Sequence, residues 1–343
     1  MKKLLSIILL LNTLFIGFNL LAQENPSQKD NLIKHRARVI INNDFGGDPD
    51  GLFQLVHHVL SPSVKIKGII ASHIKPGGFF NAVETADASA YEVNKLLKVM
   101  NLDGKIEIIK GSNSGLIDIN IPIITEGAKA IVKEAMREDT NLPLYVTCGG
   151  SLTDIASAYL LEPKIAERLT LIWIGGPEYM DISLPPPGYT SLEYNLGIDI
   201  IAAQIIFNIS NIQLWQVPRS TYRQALVSYP ELIVRIKPHG KIGKYLVNKM
   251  EDLIKETNNV NYFLGETYIL GDNPLVLLTA LQSPYDADPS SSKYVIKPSP
   301  KINDSGLYEV NFSRRNIRVY TEIDNRLMLE DFYAKLELFN NSE

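Results

Sequence analysis

Short apolar runs alternate along the chain with longer stretches whose apolar positions recur every three or four residues. The runs occupy 39–41, 66–71, 106–109, 144–147, 169–174 and 212–217, too short for helices. Most are separated by room for a crossover helix, as at 82–99, 127–137 and 152–161. Such a series predicts an α/β fold with a mainly parallel central sheet flanked by helices on both faces. Residues 230–258 read as helical and charged, with Tyr245, Leu246, Met250 and Leu253 on one face and a solvated Lys/Glu face opposite. Residues 317–320 read as a last strand and 327–338 as a closing helix. Two stretches break the pattern: 178–189, with Pro185, Pro186 and Pro187, and 283–306. Both are expected to be surface loops or flaps, the first a lid beside a site.

The pattern says most between residues 38 and 60. Val39, Ile40 and Ile41 give way to a turn through Gly46 and Gly47, then to a helix with Leu52, Val56, Val59 and Leu60 at helical spacing. Asp44, Asp48 and Asp50 fall at this junction. The carboxyl end of a strand leading into a helix is where open α/β sheets bind ligands. Helix capping accounts for Asp48, Pro49 and Asp50. It leaves out Asp44, which precedes the two-glycine turn. Crowded carboxylates repel unless they are protonated or share a cation. Ca²⁺ accepts about 6–8 oxygens, so a hard-cation site is the competing reading.

Composition narrows the class and the partners. The chain has 343 residues, 45% hydrophobic and 21% charged, which is ordinary globular protein. Length allows one large α/β domain or two smaller ones, and no repeat or low-complexity linker divides it. A net charge of -4 and the lack of a dense basic run argue against a nucleic-acid partner. Residues 1–22 read as a signal peptide: Lys2 and Lys3 precede an apolar stretch interrupted by Ser6, Asn12, Thr13, Gly17 and Asn19, with cleavage near Ala22. A membrane anchor is the alternative, since the run approaches the ~18 residues that can span; the interruptions and polar residues 23–30 disfavour it. A flexible leader at 23–37 and one folded domain at 38–343 would follow, in a periplasmic or secreted protein without a stable anchor. Cys148 has no partner for an internal disulfide and reads as a small hydrophobe at a strand end.

Four separated segments carry the remaining chemistry: NNDFGGDPDG at 42–51, TCGGSLTDIASAYLLEPKIAERL at 147–169 with LIWIGG at 171–176, EYNLGIDIIAAQIIF at 193–207, and GDNPLVLLTAL at 271–281. Singly they read as turns and caps. Gly149 and Gly150 close a strand with Ser151 as cap, Asp199 starts a helix, and Asp272 precedes Pro274. In this order they resemble the inosine/uridine-preferring nucleoside hydrolase family and its secreted relatives, over residues 38–336.

The resemblance implies a nucleoside hydrolase-like fold and calcium-dependent hydrolysis of the N-glycosidic bond of a nucleoside or related riboside. It implies Asp44 as Ca²⁺ ligand and as general base toward the attacking water. Asp50, Asp272 and the main-chain carbonyl of Gly149 (or Cys148, if the register slips by one) would complete the metal side. Asp48, Glu193 and Asn195 would bind the sugar, the last two facing one side of an extended segment. Which of Asp48 and Asp50 touches the metal stays open, because Pro49 separates them and Gly51 stands where the family places a second adjacent aspartate.

The base side departs from the family. Gly271 occupies a place where many members carry a histidine linked to leaving-group activation, and prolines with Gly188 replace an asparagine ahead of Glu193. His73, after the second strand, is the expected replacement acid, with Tyr189 and Glu178 in the flap as others. Lys75 and Arg219 are further pocket cations by position; His57 and His58 are expected to be surface or core fillers. Two other functions compete: a non-catalytic sugar- or nucleoside-binding protein that keeps Ca²⁺, and a glycosidase for another sugar. Homo-oligomer formation is left open.

Overall fold

The computed structural model describes residues 32–78, 83, 85–283 and 292–342; the expected signal peptide and most of the leader lie outside them. The run at 39–41 belongs to β1 (Ala37–Asn43), buried along its whole length. It is joined by β2 (Val64–Ala71), β3 (Ile108–Lys110), β4 (Leu144–Cys148), β5 (Thr170–Ile174) and β6 (Gln213–Val217), all paired in parallel. Later strands are β7 (Leu226–Ser228), β8 (Thr267–Ile269), β9 (Ser292–Pro298), β10 (Lys301–Ile302), β11 (Tyr308–Glu309) and β12 (Asn316–Ile323). The main sheet runs β3-β2-β1-β4-β5-β6-β12-β9, and only the β12–β9 pairing is antiparallel. The mainly parallel α/β sheet is therefore the one the alternating runs predict. Its order reverses between β1 and β4, and the crevice beyond the carboxyl ends of those two strands is the natural ligand position.

Alternate side chains of β1 feed two cores. Val39 and Ile41 pack with helices α1 (Asp50–Val59), α2 (Ala86–Val99), α5 (Gly240–Asn259) and α6 (Asn325–Asn340). Ile40 packs on the other face with α3 (Glu126–Ala135) and α4 (Thr153–Leu161). Each such fully buried Ile contributes about 1.5–3 kcal/mol, and truncation to Ala costs about 2–5 kcal/mol because a cavity remains. Thr85 and Thr125 start α2 and α3 by accepting the amide protons of Ala88 and Ala128 at 3.2 and 2.9 Å. Residues His35–Glu343 form one compact unit on these cores. Among the described residues no helix is long and apolar enough to cross a membrane.

Two expectations are corrected. Part of the stretch 283–306, read as a loop, is the edge strand β9 and the short strand β10, which pairs with β11 just beyond it. Pro298 and Pro300 mask the alternation there, while Lys293 and Lys297 supply the charge that edge strands carry. The helical stretch 230–258 is broken: α5 begins only at Gly240, whose φ of 63° follows Pro238. Leu246, Met250 and Leu253 are buried on α5 as expected, with Tyr245 only half-buried.

Candidate active site

The site is assembled where β1 ends. Asn43, fully buried, accepts the Asp44 amide proton on Oδ1 at 2.8 Å. Its Nδ2 donates to Asp272 Oδ2 at 2.8 Å and to Gln54 Oε1 at 3.3 Å. One amide thus ties β1, α1 and the turn at 272 together. The turn after β4 approaches closely because it is glycine: a Cβ on Gly149 would lie 2.4 Å from the Asn43 amide, and one on Gly150 2.7 Å from Asp44 Cγ. Asp48 Oδ1 accepts the Asp50 amide proton at 3.2 Å, as a helix-start cap would, and Oδ2 accepts the Tyr268 hydroxyl at 2.5 Å.

Asp44, Asp48, Asp50 and Asp272 line one end of a cavity of about 660 Å³, with Gly149, Glu193 and Asn195 beside them. Tyr189, Tyr222, Arg223, Tyr262 and Phe263 line much of the remainder. Burial, and then the charges of Asp48 and Glu193, raise the Asp44 pKa to about 7. Burial raises Asp48 to about 6 against the lowering effect of the Tyr268 hydrogen bond. Asp50 and Asp272 are pushed well up, first by burial and then by the neighbouring aspartates. Burial and mutual repulsion both disfavour the charged form of these carboxyls. Among the described residues no group of three or more His, Cys, Asp or Glu is arranged to hold a metal ion. The donor chemistry, all carboxylate and carbonyl oxygen, nonetheless fits a hard cation.

Glu193 and Asn195 reach the cavity by a different route from the expected extended segment. Glu193 caps the helical turn Tyr194–Ile198, its Oε2 accepting amide protons from Leu196 at 3.0 Å and Gly176 at 2.7 Å. Its Oε1 accepts the Tyr222 hydroxyl at 2.9 Å. Asn195 lies in that turn and donates through Nδ2 to the carbonyls of Gly149 and Ile174, at 2.8 and 2.9 Å. The cap bends the chain where a polar–x–polar pattern suggested a strand.

A family model described as inosine-uridine preferring nucleoside hydrolase matches residues 39–329. The chain belongs to that family. It is an N-glycosyl hydrolase by that membership, in a metal-dependent family that acts on small-molecule nucleosides. Solved structures share the fold. A purine-preferring ribonucleoside hydrolase from Gardnerella vaginalis superposes with a TM-score of 0.70 at 16% identity, covering 89% of this chain and 100% of its own. The inosine-uridine preferring nucleoside hydrolase of Bacillus anthracis gives 0.63 at 14%, covering 88% and 99%. A nucleoside hydrolase-related protein from Saccharophagus degradans, associated with carbohydrate metabolism, gives 0.58 at 18%, covering 90% and 73%. No curated protein matches the sequence.

Within this nucleoside hydrolase, the expected base-side residues separate. His73 is buried outside the cavity lining; its Nδ1–H donates to the Ser112 carbonyl at 3.1 Å, and burial lowers its pKa. Lys75 is also absent from the lining. Glu178 and Arg219 form a buried bidentate pair at 2.8 and 2.6 Å, and Arg219 also donates to the Thr190 carbonyl at 2.9 Å. That pair anchors the flap, and Tyr189 alone of the flap candidates borders the cavity. His57 and His58 are core residues. Asp199 is a cap, accepting the Ala202 amide proton at 2.9 Å. Cys148 is buried, which raises its thiol pKa. A Cβ on Gly271 would stand 3.3 Å from Asp50 Oδ2 and 3.4 Å from Tyr222 Cδ2, so the glycine leaves this wall open.

Asn43, Tyr222, Arg223 and Tyr268 escaped the sequence reading, as did Tyr262 and Phe263 in the lining. Asn43 had a signal, standing beside Asp44 in the first segment. Tyr222 and Tyr268 had none, since their partners Glu193 and Asp48 are remote in sequence.

Proposed function

We propose that this enzyme hydrolyses the N-glycosidic bond of nucleosides or related ribosides with Ca²⁺, and that Asp44 is the general base. The observation that carries this reading is the meeting of Asp44 and Asp272, from opposite ends of the domain, at one cavity end with Asp48 and Asp50. Asp44, Asp50, Asp272 and the Gly149 carbonyl would hold the ion, which when bound lowers the pKa of a water and orients it. Asp44 would accept the proton of the attacking water on its carboxylate. Asp48 and Glu193 stabilise the positive charge that develops on the sugar. Asn195 has its amide protons committed to two carbonyls, which leaves Oδ1 to accept from a ribose hydroxyl. The test is release of free base and reducing sugar from a nucleoside panel with Ca²⁺ or with EDTA, beside Asp44→Asn. Full activity in that variant would rule out the base.

Gly271, and a cavity lining that among the described residues holds no histidine, favour a second reading, a binding protein that has lost turnover. Calorimetry with ribose and nucleosides beside a prolonged turnover assay separates the two. The Saccharophagus degradans relative supports keeping a glycosidase in view, which an aryl glycoside panel would detect. We read residues 1–22 as an export signal and 38–343 as the hydrolase domain, so the enzyme works in the periplasm or outside the cell. Amino-terminal sequencing of the fractionated protein checks this.

A further inference from the structure

Among the described residues, Arg223 is the one lysine, arginine or histidine that lines the cavity, which four aspartates also line. One helical turn earlier in the chain, Arg219 is fully engaged by Glu178 and the Thr190 carbonyl. Arg223 differs. Its charge reaches Glu178 and helps hold that carboxyl low, but among the described residues its guanidinium forms no close ion pair, and its Nε is buried without a hydrogen-bond partner. The Tyr189 ring holds it instead, 4.7 Å from Arg223 Cζ and 5.2 Å from Arg219 Cζ. A stacked guanidinium with unspent donors presents the planar fork that matches a carboxylate or a phosphate. The aspartates would repel an anion placed near them, so a substrate with an oxyanion enters in one orientation only.

We propose that Arg223 is a specificity-determining residue that selects ribosides carrying an oxyanion, a carboxylate or phosphate, outside the ribose hydroxyls. The proposal rests on the hydrolase reading for its ribose and names the chemistry that reading leaves open. The competing role for Arg223 is to balance the charge of the aspartates.

The experiment compares matched pairs on the Ca²⁺-loaded enzyme: nicotinic acid riboside with nicotinamide riboside, and uridine 5′-monophosphate with uridine. Affinity by calorimetry and kcat/KM are both measured, for the wild type, Arg223→Gln and Arg223→Lys. The wild type is expected to prefer the anionic member of at least one pair by about 10–100-fold, the worth of a charge-assisted hydrogen bond. The responding pair shows whether the oxyanion sits on the base or at the 5′ position. Arg223→Gln should abolish the preference, and Arg223→Lys should keep part of it, since the charge remains while the fork is lost. Preference for the neutral member of both pairs, or equal weakening of both members by Arg223→Gln, overturns the proposal. Binding discrimination without turnover upholds Arg223 and removes the hydrolase reading; turnover without discrimination does the reverse. Should Arg223→Gln fail to fold, salt decides on the wild type: a preference that does not shrink as NaCl rises overturns the proposal.

Discussion

The two ends of the cavity are built on opposite principles. At the acidic end, Asp44, Asp48, Asp50 and Asp272 hang from the ends of β1 and α1 and from the turn at 272; Asn43 bonds Asp272 and the Asp44 main chain, and Tyr268 bonds Asp48. At the aromatic end, Tyr189 and Arg223 belong to the flap and to the chain after β6, and they are held by stacking and by the Glu178–Arg219 pair. The first end is rigid and starved of positive charge. The second is apolar, carries one cation, and is fastened at few points. A site divided this way can keep its chemistry at one end while the other changes its choice of substrate.

The sharpest way to break the comparison is Asp44→Asn. It should lower kcat/KM by about 10²–10⁴-fold, while the unfolding midpoint of the metal-free protein at pH 7 and above holds or rises, because a buried charge is removed. A loss confined to KM would move the chemistry away from the acidic end. Arg219→Ala attacks the other end. Leaving Glu178 buried and unpaired should cost about 3–5 kcal/mol of stability and raise KM, while Ca²⁺ affinity by calorimetry holds. A matching loss of Ca²⁺ affinity would show that the two ends are not separate.

If the acidic end binds Ca²⁺ as proposed, protons and the cation would compete there. Asp44 and Asp48 titrate near 7 and 6 in the folded protein against 3.8 for a free carboxyl, so the folded state holds more protons. Stability of the metal-free protein should therefore fall as pH rises from about 4 through 7. The gain on adding Ca²⁺ should grow over the same window, toward about 2.7 kcal/mol at a hundredfold excess over Kd. Melting curves with Ca²⁺ or EDTA across that range check it, and a Ca²⁺ gain independent of pH would refute it. Tyr268→Phe removes the hydroxyl on Asp48 and should cost about 1–3 kcal/mol in chemical denaturation. The smallest effect belongs to Gly271→Ala, whose Cβ meets Asp50 Oδ2 at 3.3 Å. It should change stability by less than about 1 kcal/mol, and a larger loss would mean that Gly271 is needed for its backbone rather than for the room it leaves.

The sheet was legible because each buried strand is a short apolar run and each crossover has helical spacing. The acidic end was legible because its residues sit at strand and helix boundaries, where the four segments already pointed. The aromatic end was not. His73 follows β2, and nothing in the chain says that β2 flanks β1 on the side away from β4. Arg219 and Arg223 look alike in sequence; only the fold shows which one Glu178 takes. The cap at Glu193 was hidden for a similar reason, since a carboxylate reaching the Leu196 amide looks from outside like any polar residue in a loop. Strand β9 was lost behind its flanking prolines.

Trp173 sits at the end of β5 with its indole Nε1 donating to the Gly150 carbonyl at 3.0 Å, and Gly150 backs directly onto Asp44. The chain has one other indole, Trp215, at the β6–β12 side of the sheet beneath Arg318. The protein thus carries an internal optical gauge: whatever pulls on Asp44 is felt, through one glycine, by a chromophore. Its emission should move when Ca²⁺ is titrated in, and Trp173→Phe should silence that signal while the emission of Trp215 remains.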